Sequence, residues 1–176
     1  MVKLPVILGI SPGTRLMGIA ILRKEKLSIW EIKTFKGHWN EGKLKDILFR
    51  VNEIIDRYEV THICLKRSSK NQTSEGLSKL ISEITFLSKR KKLVINQYDL
   101  QDLKSLFTDN YKFTKQSMFR ALAEQNPFLH EQYNRELKLS VPYYEKMFEA
   151  IISVLLYRKM HPPQGLIVSP FSPLYY

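Results

Sequence analysis

The segment that most constrains the fold lies near the N-terminus. Val6-Ile7-Leu8-Gly9-Ile10 is a short apolar run closed at once by Ser11-Pro12-Gly13. A run of that length ending in a Pro-Gly turn reads as a buried strand. A second apolar run, Leu16 to Leu22, follows directly, and Leu27 to Phe35 alternates well enough for a third strand. Glu25-Lys26 connects the second to the third, so the chain is expected to open as an antiparallel meander.

Beyond the meander the periodicity changes. Leu44, Ile47, Leu48, Val51, Ile54 and Ile55 recur at helical spacing and predict a helix over Lys43–Tyr58. Thr61 to Leu65 reads as a fourth strand ending near Lys66, and the polar stretch Ser68 to Ser74 as a loop. Leu77, Leu80, Ile81, Ile84 and Leu87 mark a second helix that runs out into Lys89-Arg90-Lys91-Lys92, and Leu93 to Asn96 is a fifth strand. Asp99 is placed to cap a short helix through Phe107, and Thr114 to cap another carrying Phe119, Leu122 and Ala123. Pro127 to Ser140 has no clear period. A last helix is expected from Pro142, where the missing N–H costs nothing, to about Lys159. Strands in a meander, then strands interleaved with helices, imply an α/β fold: one mixed sheet flanked by helices. Residues 1–160 form the expected domain, and 161–176 a proline-rich tail with four of the eight prolines.

Charge narrows the partners. Lys plus Arg number 28 against 17 Asp plus Glu, a formal net charge of +11, which favours polyanions. One cysteine, Cys64 in an apolar run, excludes an internal disulfide and suits an inert buried thiol in a cytoplasmic protein. His38, His62, His130 and His161 have no ligand spacing for zinc. The apolar stretch Leu4–Ile10 is too short for a membrane span.

Ile7-Leu8-Gly9-Ile10-Ser11-Pro12-Gly13-Thr14-Arg15, followed by Gly18 early in the second strand, resembles the first-strand signature of the RuvC Holliday-junction resolvases. That family has a ribonuclease H-like fold with a mixed five-stranded sheet. The resemblance implies endodeoxyribonuclease chemistry on branched DNA in recombination and repair, and work as a symmetric homodimer. A related group of ribosomal-RNA-processing nucleases shares the first-strand motif, which leaves RNA open as the ligand.

The family's four acids do not carry over. Ser11 stands where the first catalytic aspartate belongs. Lys66 ends the strand that supplies the glutamate. In the last helix, Lys146 replaces the first acid and Glu149 retains the second. Two lysines against one glutamate leave these positions at +1, where four acids would carry four negative charges. Two Mg²⁺ ions about 4 Å apart need hard anionic oxygens, so no metal or other cofactor is expected. Lys66 is expected to stand in for a cation and pair with Glu149; the plainer alternative is a strand-end lysine in solvent.

Lys104 and Lys115 match family lysines near the scissile phosphate, and an ammonium can bind phosphate without a metal. Unpartnered surface lysines are the alternative. Lys89, Arg90, Lys91 and Lys92 are either a phosphate-contacting patch or a solvated helix end favoured by the helix dipole. Phe107, Tyr111 and Phe113 could stack on bases, although packing is the commoner use.

Three functions remain open. The first is a pseudo-nuclease that binds branched nucleic acid. The second is an active nuclease holding Mg²⁺ through Glu145, Glu149 and acids such as Asp99, Asp102 or Asp109. The third is a protein-interaction scaffold.

Overall fold

The computed structural model describes residues 4–68, 73–110 and 112–162. Its frame is a five-stranded sheet built from β1 (Val6–Ser11), β2 (Leu16–Arg23), β3 (Lys26–Thr34), β4 (His62–Lys66) and β5 (Val94–Tyr98), in the order β3-β2-β1-β4-β5. The first three strands pair antiparallel, while β4 joins β1 and β5 joins β4 in parallel. This is the mixed sheet the sequence implied. The β2–β3 turn falls one residue earlier than expected, at Lys24 and Glu25. Both have positive φ (50° and 64°), the geometry of a two-residue hairpin turn that matches strand twist.

Helices cover both faces. α1 (Glu41–Tyr58) and α2 (Glu75–Arg90) lie on one side, over Val6, Leu8 and Ile10 of β1 and Ile63 and Leu65 of β4. On the other side α6 (Glu145–Met160) packs on Ile7, Ala20 and Cys64, with α3 (Leu100–Lys104), α4 (Lys115–Gln125) and α5 (His130–Glu136) around it. The alternation of side chains along a strand sends successive β1 residues to opposite cores, so every residue from Val6 to Ser11 is buried. Cys64 is buried too, and its thiol is pushed up by desolvation, so it is an inert packing group.

Two glycines set the depth of α6. A Cβ on Gly18 would lie 1.8 Å from the Lys146 carbonyl oxygen, and one on Gly9 would lie 2.3 Å from that of Ala150. Gly9 and Gly18 therefore let the α6 backbone rest against β1 and β2, which brings Lys146 and Glu149 to the end of β1.

Several boundaries differ from expectation. α6 begins at Glu145, not Pro142. The buried Glu136 carboxylate of α5 accepts the backbone N–H groups of Tyr143 and Tyr144, holding those residues outside the helix. Asp99 does cap α3, reciprocally with Asp102, but the helix closes at Lys104 and continues to Phe107 only as hydrogen-bonded turns. Asn40 caps α1, which starts at Glu41, two residues before the expected Lys43. The unassigned stretch after Asn126 holds a 3-10 turn, Pro127–Leu129, and then α5. The proline-rich tail from 163 onward, part of the loop before α2, and Tyr111 lie outside the described residues. Among the described residues, no helix is long and apolar enough to cross a membrane.

Candidate functional site: one buried carboxylate among three lysines

Strand register brings the candidate residues to one end of the sheet. Ile10 pairs with Leu65, so Ser11 and Lys66 end adjacent parallel strands, and Ser11 pairs across β2 with Gly18, against which Lys146 rests. Glu149, one helical turn along α6, is only 1% exposed.

Four side chains organise around Glu149. The Ser11 hydroxyl donates to Oε2 at 2.5 Å. Lys115 Nζ lies 2.9 Å from Oε1 in ionic contact, and Lys66 Nζ lies 3.6 Å from the same oxygen. Lys115 also donates to Glu145 Oε2 at 2.6 Å. Lys146 turns its ammonium to the Pro12 carbonyl at 2.9 Å, close enough to feel the same carboxylate. The pairing anticipated between Lys66 and Glu149 is present, but the nearer cation is Lys115.

The electrostatics follow from burial and neighbours. Desolvation alone would raise the Glu149 carboxyl. The ammoniums of Lys66, Lys115 and Lys146, with the Ser11 hydroxyl, outweigh it and hold the group below its ordinary range. Desolvation pulls Lys115 down, but Glu149 and Glu145 more than reverse that, and its ammonium is held above the usual value. Lys146 is lowered, first by burial and then by repulsion from Lys66 and Lys115, against the attraction of Glu149. Lys115 is the first residue of α4, where a cation opposes the helix dipole; its two glutamate partners offset that cost.

This donor set does not fit a pair of Mg²⁺ ions. Both Glu149 oxygens are already engaged by a hydroxyl and by ammoniums, and three lysines against two glutamates leave the cluster at +1. Among the described residues, no group of three His, Cys, Asp or Glu side chains converges as a metal site. Of the alternative acids, Asp99 and Asp102 cap α3, Asp99 also pairs with Arg67 at 3.5 Å, and Asp109 is exposed. Glu145 does reach the cluster, through Lys115. Its i,i+4 relation to Glu149 is the spacing that aims both carboxylates at one lysine.

The remaining basic candidates are elsewhere. Lys104 ends α3 half-buried and makes no ion pair among the described residues. Lys89 and Arg90 close α2, and Lys91 follows as its C-cap, paired with Asp56 at 2.5 Å. Lys92 has φ of 58°. Val94 pairs with His62 and Tyr98 with Lys66, so this run sits at the opposite end of the sheet from Glu149. Phe107 and Phe113 are partly buried against each other and the α6-side core, the packing use.

No family model matches the chain. A curated relative, the crossover junction endodeoxyribonuclease RuvC of Christiangramia forsetii, is 26% identical over 132 residues, which covers 68% of this chain and 67% of that protein. Thermus thermophilus RuvC, solved with a Holliday-junction substrate, superposes with a TM-score of 0.61 at 14% identity, covering 90% of this chain and 97% of that one. This chain is RuvC-like. The fowlpox virus resolvase, also solved with Holliday-junction DNA, has the same fold, with a TM-score of 0.59 at 14% identity over 90% of this chain and 99% of that one. In this RuvC-like chain β1 ends in Ser11, whose hydroxyl meets the lysine-bound Glu149 of α6.

Proposed function

We propose that this RuvC-like chain binds branched DNA without cutting it. The observation that carries the reading is the Glu149 carboxylate held by Ser11, Lys66 and Lys115 with Lys146 beside it, an ammonium cluster where the family's chemistry calls for anionic metal ligands. The junction DNA held by the Thermus thermophilus and fowlpox virus proteins supports branched DNA as the ligand class. The +11 charge supports a polyanion of some kind. The loss of catalysis and the homodimer that resolvases form are both parts of this reading.

Lys104 and Lys115 are the residues proposed to meet phosphate near the site. The Lys115 side chain is one-third exposed, and Glu145 and Glu149 hold its ammonium. Retardation of a labelled four-way junction, a linear duplex and a structured RNA, across a salt series without divalent metal, tests the reading. The expected order is junction tightest, with binding lost as salt rises. Equal retardation of all three would remove the branched-DNA assignment. Retardation of none at low salt would leave the scaffold reading.

A further inference from the structure

A second basic surface lies at the same end of the sheet, on its other face. β3 runs parallel to β1, and its last residue, Thr34, pairs with Leu16 at the start of β2. Ser11 and the end of β3 are thus separated by two interstrand steps, about 10 Å. There, β3 and α1 enclose a groove of about 690 Å³ lined by Lys33, Lys36, Lys43 and Arg50, with Phe35 and Phe49, against one acid, Asp46.

The groove is built rather than incidental. Lys43 is 7% exposed, and its ammonium donates to the Gly37 carbonyl at 2.6 Å. Gly37 needs its positive φ of 83° to present that carbonyl. Asn40 caps α1 through the Lys43 N–H, and Trp39 packs over Gly76, where a Cβ would meet the indole at 2.9 Å. The loop is therefore tied at three points. Lys33 and Arg50 pair with Glu31 and Glu53 at 2.9 and 3.0 Å, partly exposed contacts that exchange readily for phosphate. Phe49 is 61% exposed beside Arg50, so its ring is open to a ligand in the groove.

We propose that this groove binds an unpaired nucleic-acid strand, with Lys36 and Arg50 meeting phosphates and the Phe49 ring stacking on a base. Cations that track a backbone, combined with an exposed aromatic face, suit single strands, because a duplex keeps its base faces stacked away. The groove lies at the same end of the sheet as the Glu149 site, on its other face. This inference rests on the proposed function only in taking nucleic acid as the ligand.

Fluorescence anisotropy on the full chain, with labelled oligo(dT) and a hairpin duplex, tests it. Lys36→Glu with Arg50→Glu should weaken oligo(dT) binding tenfold or more and flatten its log–log salt slope by about 1.4, at roughly 0.7 per single-strand phosphate contact. Lys24→Glu with Lys26→Glu makes the same charge change at the far end of β3 and should cost under threefold. Phe49→Leu should weaken oligo(dT) roughly fivefold while leaving the duplex unchanged, and Phe49→Tyr should restore binding. A groove variant no weaker than the far-end variant overturns the inference, as does a Phe49→Leu loss shared equally by the duplex. So does a change in oligomeric state of Phe49→Leu on sizing, which would assign the ring to a second copy of the chain. If the junction is still retarded in either case, only the groove falls; if wild type binds no nucleic acid, both readings fall.

Discussion

Glu149→Gln isolates the charge at the centre of the site while keeping its shape and an acceptor for the Ser11 hydroxyl. The substitution leaves Lys66, Lys115 and Lys146 converging on a neutral amide. Removing one partner of a buried ion pair costs about 3–5 kcal/mol, because the other charge stays desolvated. Two features reduce that here. Lys115 is one-third exposed and keeps Glu145, and Lys66, 14% exposed and 3.6 Å away, can swing outward. Discounted for that screening and relaxation, the loss is about 2–3 kcal/mol. At roughly 2–4 °C per kcal/mol for a chain of this size, Tm should fall by about 5–10 °C in low salt. Differential scanning calorimetry of both proteins at pH 7 reads this directly. A fall under about 2 °C would mean that the carboxylate is not what the lysines are held by, and the electrostatic account of the site would be wrong.

The pH dependence has a fixed sign. Because Glu149 is held below its ordinary range, its stabilisation is full above the unfolded value, about 4.3, and is lost as pH falls through the lower folded value. The stability gap between wild type and Glu149→Gln should therefore be flat from about pH 5 to 8 and close in acid, as urea midpoints would show. Lys115→Met should destabilise more than Lys66→Met, since Lys115 meets two carboxylates at 2.6 and 2.9 Å and Lys66 meets one at 3.6 Å; equal Tm values would contradict the geometry. Gly18→Ala places a methyl 1.8 Å from the Lys146 carbonyl, so α6 must lift from the sheet; a cost of about 3 kcal/mol is expected in urea unfolding, and a neutral result would refute the close seam. Millimolar Mg²⁺ should leave Tm within about 1 °C, whereas an ion held at a Kd a hundredfold below its concentration would add about 2.7 kcal/mol.

Much of the fold was legible because it rests on local periodicity. The β1 run, the α1 and α2 apolar spacings and the Asp99 and Thr114 caps are all short-range signals, and each appears where its residues predicted. The start of α6 was not legible, because it is set by the Glu136 carboxylate of α5 capturing two N–H groups seven and eight residues away. At the site, Ser11, Lys66, Lys146 and Glu149 could be picked out from the sequence, and of the two fates expected for Lys66 the structure has the pairing with Glu149. The role of Lys115 did not follow. Its alignment with a phosphate lysine said nothing of the two glutamates on α6 that α4 brings it against. The position of Lys89–Lys92 likewise required the register of β4 with β5, which no local pattern encodes.

The central claim is that an ammonium-bound carboxylate has replaced a metal site, leaving a protein that holds a junction and leaves it whole. The most direct test is a labelled four-way junction incubated with excess protein in Mn²⁺ or in EDTA, with aliquots run on native and denaturing gels. The account predicts a retarded junction in both conditions and full-length strands in both. Shortened strands that appear only with Mn²⁺, and vanish in Glu149→Ala, would contradict it.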